Sequence, residues 1–151
     1  MLGQFLIGGG VSLCNIAIHA LVMTTIIRTA RAIAAKRTLH PNLLLTGIMT
    51  STVAVLMLTH TLEVIVWAAA YRVVDVAPPG AGLIYFAFVN YTTLGYGDIL
   101  PQEGWRLLGP MTAMNGVLLF GWSTAVIFEV LRRAMALSFP VLGFGRDADA
   151  R

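Results

Sequence analysis

Charge is scarce in this chain: only 11% of its 151 residues are Asp, Glu, Lys or Arg, against roughly a quarter in ordinary soluble domains. Hydrophobic residues reach 58% and the mean hydropathy is +0.81, so a free water-soluble globule is excluded. Cysteine is nearly absent, and the single Cys14 can form neither an intrachain disulfide nor part of a cysteine-rich metal centre. Cys14 and the histidines also lack the paired spacing of a sequence-legible metal site. No HExxH, nucleophile–base pair or nucleotide loop appears, so no enzyme and no cofactor is expected. Gly143-Phe144-Gly145 has no strand–turn–helix context around it. The net charge of +3 is spread along the chain and makes no nucleic-acid footprint, so no nucleic-acid partner is expected.

What the chain does have is long apolar runs. A membrane-spanning helix needs about 20 predominantly apolar residues, and Phe5–Ile27, Leu43–Tyr71 and Leu107–Leu131 qualify. A fourth run, Leu83–Leu94, would reach only about 18 Å as a helix, too short for a hydrocarbon core of about 30 Å. Pro78-Pro79-Gly80 precedes it and Gly95-Tyr96-Gly97-Asp98 follows it. Such a segment enters and leaves by one face, and its non-helical part must be buried in protein or line water. The first run has no basic leader and no obvious small-residue cleavage site, so it reads as a span, not a signal peptide.

Sidedness follows from the basic residues. Arg28, Arg31, Lys36 and Arg37 lie in the first connection, and Arg132, Arg133, Arg146 and Arg151 follow the third run. Only Arg72 and Arg106 fall on the other side. The imbalance places the N-terminus outside, the C-terminus in the cytoplasm and the short hairpin entering from outside. Arg28 and Arg31 are spaced as at the start of a voltage-sensing helix. Lys36 and Arg37 break that spacing, which favours a cytoplasmic connection against anionic lipid. The residues Ser138–Arg151 read as a loose tail too short for a regulatory domain of usual size.

The chemistry is concentrated in Thr92-Thr93-Leu94-Gly95-Tyr96-Gly97-Asp98. A dehydrated cation needs replacement for its lost water, and backbone carbonyls can supply it if several point at one axis. An extended all-L chain turns every second carbonyl away. Glycine tolerates φ > 0 at little cost, so Gly95 and Gly97, interleaved with Leu94 and Tyr96, allow successive carbonyls to face one way. Thr93 adds a hydroxyl at the inner end. One copy lines a quarter of a pore, so four chains in cyclic symmetry are required. A helix over Leu83–Thr93 would aim its negative end at the membrane centre, where a cation waits. The plain alternative is a turn that closes an apolar hairpin.

Thr92 to Asp98 resembles the signature of the tetrameric potassium-channel pore domain, and the resemblance extends over about Leu43–Leu131. It implies an all-α membrane fold with three transmembrane helices, a re-entrant pore helix and a filter loop in a homotetramer. It also implies passive conduction of K+, with no cofactor beyond the permeant ion. Thr93, Leu94, Gly95, Tyr96 and Gly97 would be the selectivity filter, with K+ held at Thr93 to Tyr96. Thr92 and Asn90 would support the filter and Asp98 would stand at its outer mouth. Gly116 falls at the family's gating-hinge position. Residues 1–40 would be an additional helix with its basic connection, 41–133 the pore domain and 134–151 a short tail. The setting implied is a prokaryotic plasma membrane, with no soluble regulatory domain in this chain. A non-conducting or regulatory pore-like subunit and a weakly selective cation channel are the alternatives.

The sequence departs from the family at four places. Leu94 replaces the commoner valine. Tyr85 and Phe86 stand where many members carry a tryptophan pair, and Val89 replaces a glutamate that partners the mouth aspartate. Asp98 is thereby expected to lose a partner, and Asn90 to reach the Tyr96 hydroxyl. On the third run, Val117, Phe120, Thr124 and Phe128 share a face that would line the cavity, Phe128 offering a dewetting gate. Interhelical packing is the competing role for these side chains, and close packing competes with hinge for Gly116. Asn115 is expected to face a neighbouring helix. His60 and Glu63 share one face of the second run, as do Ser12, Asn15 and His19 on the first. A hydrogen-bonded seam docking the first helix is the plain expectation, and a proton-sensitive element the sharper one. Glu129 is expected to pair with Arg133, or else to belong to a ring of glutamates at the inner mouth.

Overall fold

The computed structural model describes residues 1–35 and 40–138. Lys36, Arg37 and the tail from 139 onward, with Gly143, Gly145, Arg146 and Arg151, lie outside the described residues. Long apolar runs become long helices, Gly8-Gly9-Gly10 notwithstanding: α1 covers Leu2–Ala34, α2 Pro41–Val73 and α4 Leu108–Ser138, with the short α3, Leu83–Tyr91, between the last two. A 3-10 turn at Glu103–Trp105 precedes α4. The fold is all-helical, and three of its helices are long and apolar enough to cross a membrane. At 33 residues, α1 and α2 each run for about 50 Å, longer than the spans expected from hydropathy.

The ends of the elements follow local chemistry. Pro41 opens α2, where its missing N–H costs nothing and its fixed φ suits a first turn. Arg31 and Arg72 sit in the last turns of α1 and α2, where cations complement the helix dipole. After α2, Asp75 and Gly80 adopt positive φ (49° and 85°) and turn the chain into α3. At nine residues, α3 reaches only about 13 Å and cannot cross a bilayer.

The α3 helix also stops at Tyr91, earlier than the expected Thr93. The reason is a capping motif: Thr93 N–H donates to the Asn90 carbonyl at 3.1 Å and Leu94 N–H to the Val89 carbonyl at 2.9 Å. This is the paired pattern of a Schellman ending, with Thr93 at its left-handed position.

Two compact units are present, and each long helix contributes to both. The first comprises Met1–Ala20 and Leu58–Gly121, the second Leu21–Met57 and the chain from Trp122 onward. In the first unit, Val64, Trp67, Ala68 and Tyr71 of α2 pack with Phe86, Ala87 and Tyr91 of α3, and with Val76, Ala77 and Leu108. In the second, Met23, Ile26, Ala30 and Ala34 of α1 meet Ile48 and Leu56 of α2 and Val126, Val130 and Ala134 of α4. Its alanines let backbones approach closely, the usual device where lipid supplies no hydrophobic drive between helices.

Candidate functional site

From the end of α3 the chain continues as Thr92 to Asp98, all seven residues exposed on the single chain. Thr92 Oγ1 turns back to donate to the Phe88 carbonyl at 2.7 Å, which fixes the start of the segment on the helix. Thr93, Gly95 and Gly97 have φ of +59°, +65° and +77°, whereas Leu94 and Tyr96 do not adopt positive φ. Handedness thus alternates residue by residue. For the two glycines this costs little, but for a β-branched threonine it is an outlier worth about 1–3 kcal/mol. Reasoning from glycine alone misses Thr93, because nothing in its side chain advertises a left-handed backbone. Leu94 and Tyr96 carry 53% and 67% of their full exposure, so much of each residue's surface is left uncovered by the described chain.

Asp98 does have a partner. Tyr85 Oη donates to Asp98 Oδ2 at 2.7 Å, so the residue standing in the tryptophan position supplies a phenol where an indole N–H was missing. That bond lifts the Tyr85 hydroxyl above its ordinary pKa, which keeps it a donor across the physiological range. Asn90 does not reach Tyr96: its Nδ2 donates to Tyr71 Oη at 3.2 Å. Tyr71 in turn shares a 2.6 Å hydrogen bond with Thr112 Oγ1 of α4. Tyr71 is buried in the cluster that packs against α3, whereas Tyr96 is exposed on the single chain. Val89 is buried at 5% exposure, a packing residue where a carboxylate could not be accommodated without a partner.

Behind this loop lies a polar network. Glu63 is fully buried, and it accepts from His19 Nδ1 at 2.8 Å and from His60 Nδ1 at 3.0 Å. Tyr91 Oη donates to the same carboxylate at 2.5 Å. Asn15 Nδ2 donates to the Glu63 carbonyl and to Asn115 Oδ1, both at 3.2 Å, and Trp67 Nε1 donates to Asn115 Oδ1 at 2.9 Å. The expected seam between α1 and α2 is therefore present, with Asn115 facing neighbouring helices as expected. Ser12 is the exception, since its buried Oγ has no hydrogen-bond partner among the described residues. The seam also reaches further than expected, drawing in Tyr91 of α3 and Asn115 of α4. The separation of Asn15 and His19 from Glu63 by more than forty residues hides this cluster from any search for paired ligand spacing. His19, His60 and Glu63 have ligand-capable atoms within 4.8 Å of one another, although their positions in sequence show no paired metal-ligand spacing.

On α4, Gly116 sits against α3. A Cβ there would collide with the Tyr91 carbonyl oxygen and crowd its ring, so the glycine permits a close helix approach. Phe120 lies tilted against His60 with ring centroids 4.4 Å apart and meets the Tyr91 ring edge-on at 5.4 Å. Phe120 thus packs within the chain while keeping 38% of its surface exposed. Val117, Thr124 and Phe128 are exposed on the single chain, Phe128 at 66%. Glu129 accepts from Arg132 at 3.0 Å and pairs also with Arg133. A carboxylate held by two guanidinium groups is a poor collector of cations, which argues against the glutamate ring. The Gln4 side-chain oxygen accepts from the Leu107 N–H at 2.9 Å, a tether at the start of α4 that a lone glutamine in a greasy stretch does not announce.

Comparison with curated proteins found no match, and neither did comparison with solved structures. Residues 59–133, about half of the chain, match the model of a family described as ion channel. The matched stretch contains the second half of α2, all of α3, the exposed loop and most of α4, the elements that converge on Tyr91 and Glu63. With three apolar helices and this domain, the chain is a membrane protein of the ion-channel pore family.

Proposed function

We propose that the protein is a potassium-selective channel, in which four copies of Thr93-Leu94-Gly95-Tyr96-Gly97 surround one axis and K+ passes passively between them. The observation that carries this reading is the alternating φ of Thr93, Gly95 and Gly97 against Leu94 and Tyr96. Alternation of left-handed and ordinary residues lines successive carbonyls along one side of a strand and the N–H groups along the other. Carbonyl dipoles in a ring replace the hydration shell of K+. The exposure of Thr92 to Asp98 on a single chain fits a segment whose neighbours are other copies.

In this arrangement Tyr85 and Asp98 form the outer mouth, and Thr92 and Asn90 support the filter from α3. Val117, Thr124 and Phe128 face the ion path or a neighbouring copy, with Gly116 as the point of closest helix approach. Residues 1–40 form an added helix and connection, 41–133 the pore unit and 134–151 the tail. The basic residues orient the N-terminus outside and the C-terminus in the cytoplasm of a prokaryotic plasma membrane.

Proteoliposomes test the proposal. Vesicles loaded with K+ should lose it through the protein at least tenfold faster than Na+ is lost from matched vesicles. Cross-linking in detergent should end at a four-chain species. Equal K+ and Na+ release, or a ladder that stops at two chains, would overturn it.

A further inference from the structure

The cluster of His19, His60 and Glu63 has donor chemistry that ion conduction through the filter does not use. His19 comes from α1, and His60 and Glu63 come from one face of α2. Tyr91 reaches in from the end of α3, all within the first unit. The side chains of His19 and Glu63 are fully buried and that of His60 is 13% exposed. Among the described residues, the ion-pair partners of Glu63 are these two imidazoles, with no Lys or Arg. An ionised carboxylate inside a membrane protein needs a compensating charge.

The spacing suits a small ion. A tetrahedral zinc-type centre holds nitrogen and oxygen donors at about 2.0–2.1 Å, and therefore roughly 3.3 Å from each other. His19 Nδ1 stands 2.8 Å from Glu63 Oε1, and His60 Nδ1 stands 3.0 Å from Glu63 Oε2. The three ligand atoms fall within 4.8 Å of one another. Tyr91 Oη is 2.9 Å from His60 Nδ1 and 2.5 Å from Glu63 Oε2, which puts an oxygen at the fourth corner. The ion takes the place of the protons in these hydrogen bonds: each imidazole then carries its proton on Nε2 and turns a bare Nδ1 to the metal, and a slight opening of the contacts makes room. Two imidazoles and a carboxylate select divalent ions of the zinc class, whereas Mg2+ and Ca2+ take all-oxygen shells.

We propose that His19, His60 and Glu63, with Tyr91 at the fourth corner, form a binding site for a divalent transition-metal ion of the zinc class. The filled site ties α1 to α2 and to the end of the pore helix. It stands independently of the selectivity of the filter, because it is read by metal binding alone.

The test uses the full-length protein in detergent, stripped with a chelator and titrated with Zn2+ and separately with Mg2+ in a calorimeter. One Zn2+ per chain should bind, with no heat from Mg2+. X-ray absorption at the zinc edge should show two imidazole nitrogens. Glu63→Gln, His19→Ala and His60→Ala should each weaken binding at least tenfold, and Tyr91→Phe about threefold. His40→Ala and Cys14→Ser, which lie outside the cluster, should leave it unchanged. Absence of saturable Zn2+ binding by the unaltered protein would overturn the proposal. So would a zinc-edge spectrum without imidazole, or full binding by a folded His19→Ala/His60→Ala double variant. The calorimetric and spectroscopic readouts need no substitution, so they decide between the outcomes even where a variant fails to fold. A thermal transition that moves with pH but not with Zn2+ would assign the cluster to proton exchange and sink the metal reading.

Discussion

The two units of this chain are built from the same three long helices but held together by different means. In the second, an apolar cluster of Met23, Ile26, Ala30, Ile48, Leu56, Val126, Val130 and Ala134 dominates, and its buried polar side chains are the small hydroxyls of Thr52 and Ser123. The first buries Asn15, His19, Glu63, Thr112 and Asn115 beside its apolar core, and most of them touch α3 or a residue that does. Apolar packing between membrane helices tolerates sliding, because lipid contacts are about as favourable as protein contacts. Directional hydrogen bonds do not. The polar unit is the one that must fix a nine-residue helix and the exposed loop beyond it. The polar network therefore fixes register and position, which apolar packing alone leaves free.

The largest break in that contrast should come from Glu63→Ala, which strands two histidines and a tyrosine in a buried site. About 3–5 kcal/mol of stability should be lost, read from unfolding in detergent micelles. Gly116→Ala forces a Cβ onto the Tyr91 backbone, and overpacking of this kind costs about 1–3 kcal/mol. Gly121→Ala, with open space around its new Cβ, should be neutral or slightly stabilising in the same assay. Val130→Ala, the cut in the apolar unit that matches Glu63→Ala, should cost only about 1 kcal/mol. Equal losses from those two would erase the distinction between the units. Trp67→Phe keeps the aromatic volume but removes the donor to Asn115, a loss of about 1 kcal/mol. Tyr85→Phe removes an exposed bond and should leave the unfolding midpoint where it is. That variant should instead shorten open times by freeing Asp98, and unchanged single-channel records would remove Tyr85 from the outer mouth.

Much of this organisation is legible in the amino-acid sequence, and what is not has physical causes. Helix number and the short α3, too brief to cross a bilayer, follow from apolar run lengths, which a bilayer constrains tightly. The Thr-Leu-Gly-Tyr-Gly stretch stands out because glycine marks positions of unusual φ, and Gly95 and Gly97 do adopt it. Thr93 is invisible on that logic, since its conformation comes from closing the end of α3. The seam between α1 and α2 can be anticipated from polar residues sharing helix faces. Its extension to Tyr91 cannot, because a tyrosine in a greasy helix looks like packing until the carboxylate is seen at its hydroxyl. Asn90 pairs with Tyr71 instead of the expected Tyr96 for a related reason, as both tyrosines are plausible partners in sequence and only the fold decides between them.

The most direct test of the account is a reversal potential recorded in a planar bilayer, with K+ on one side and Na+ on the other. Selective conduction through Thr93 to Gly97 predicts a potential close to the K+ limit, lost when Gly95 is changed to alanine at its positive φ. A clear current that reverses near zero would contradict it, and would mean that the alternating loop forms a pore without choosing potassium.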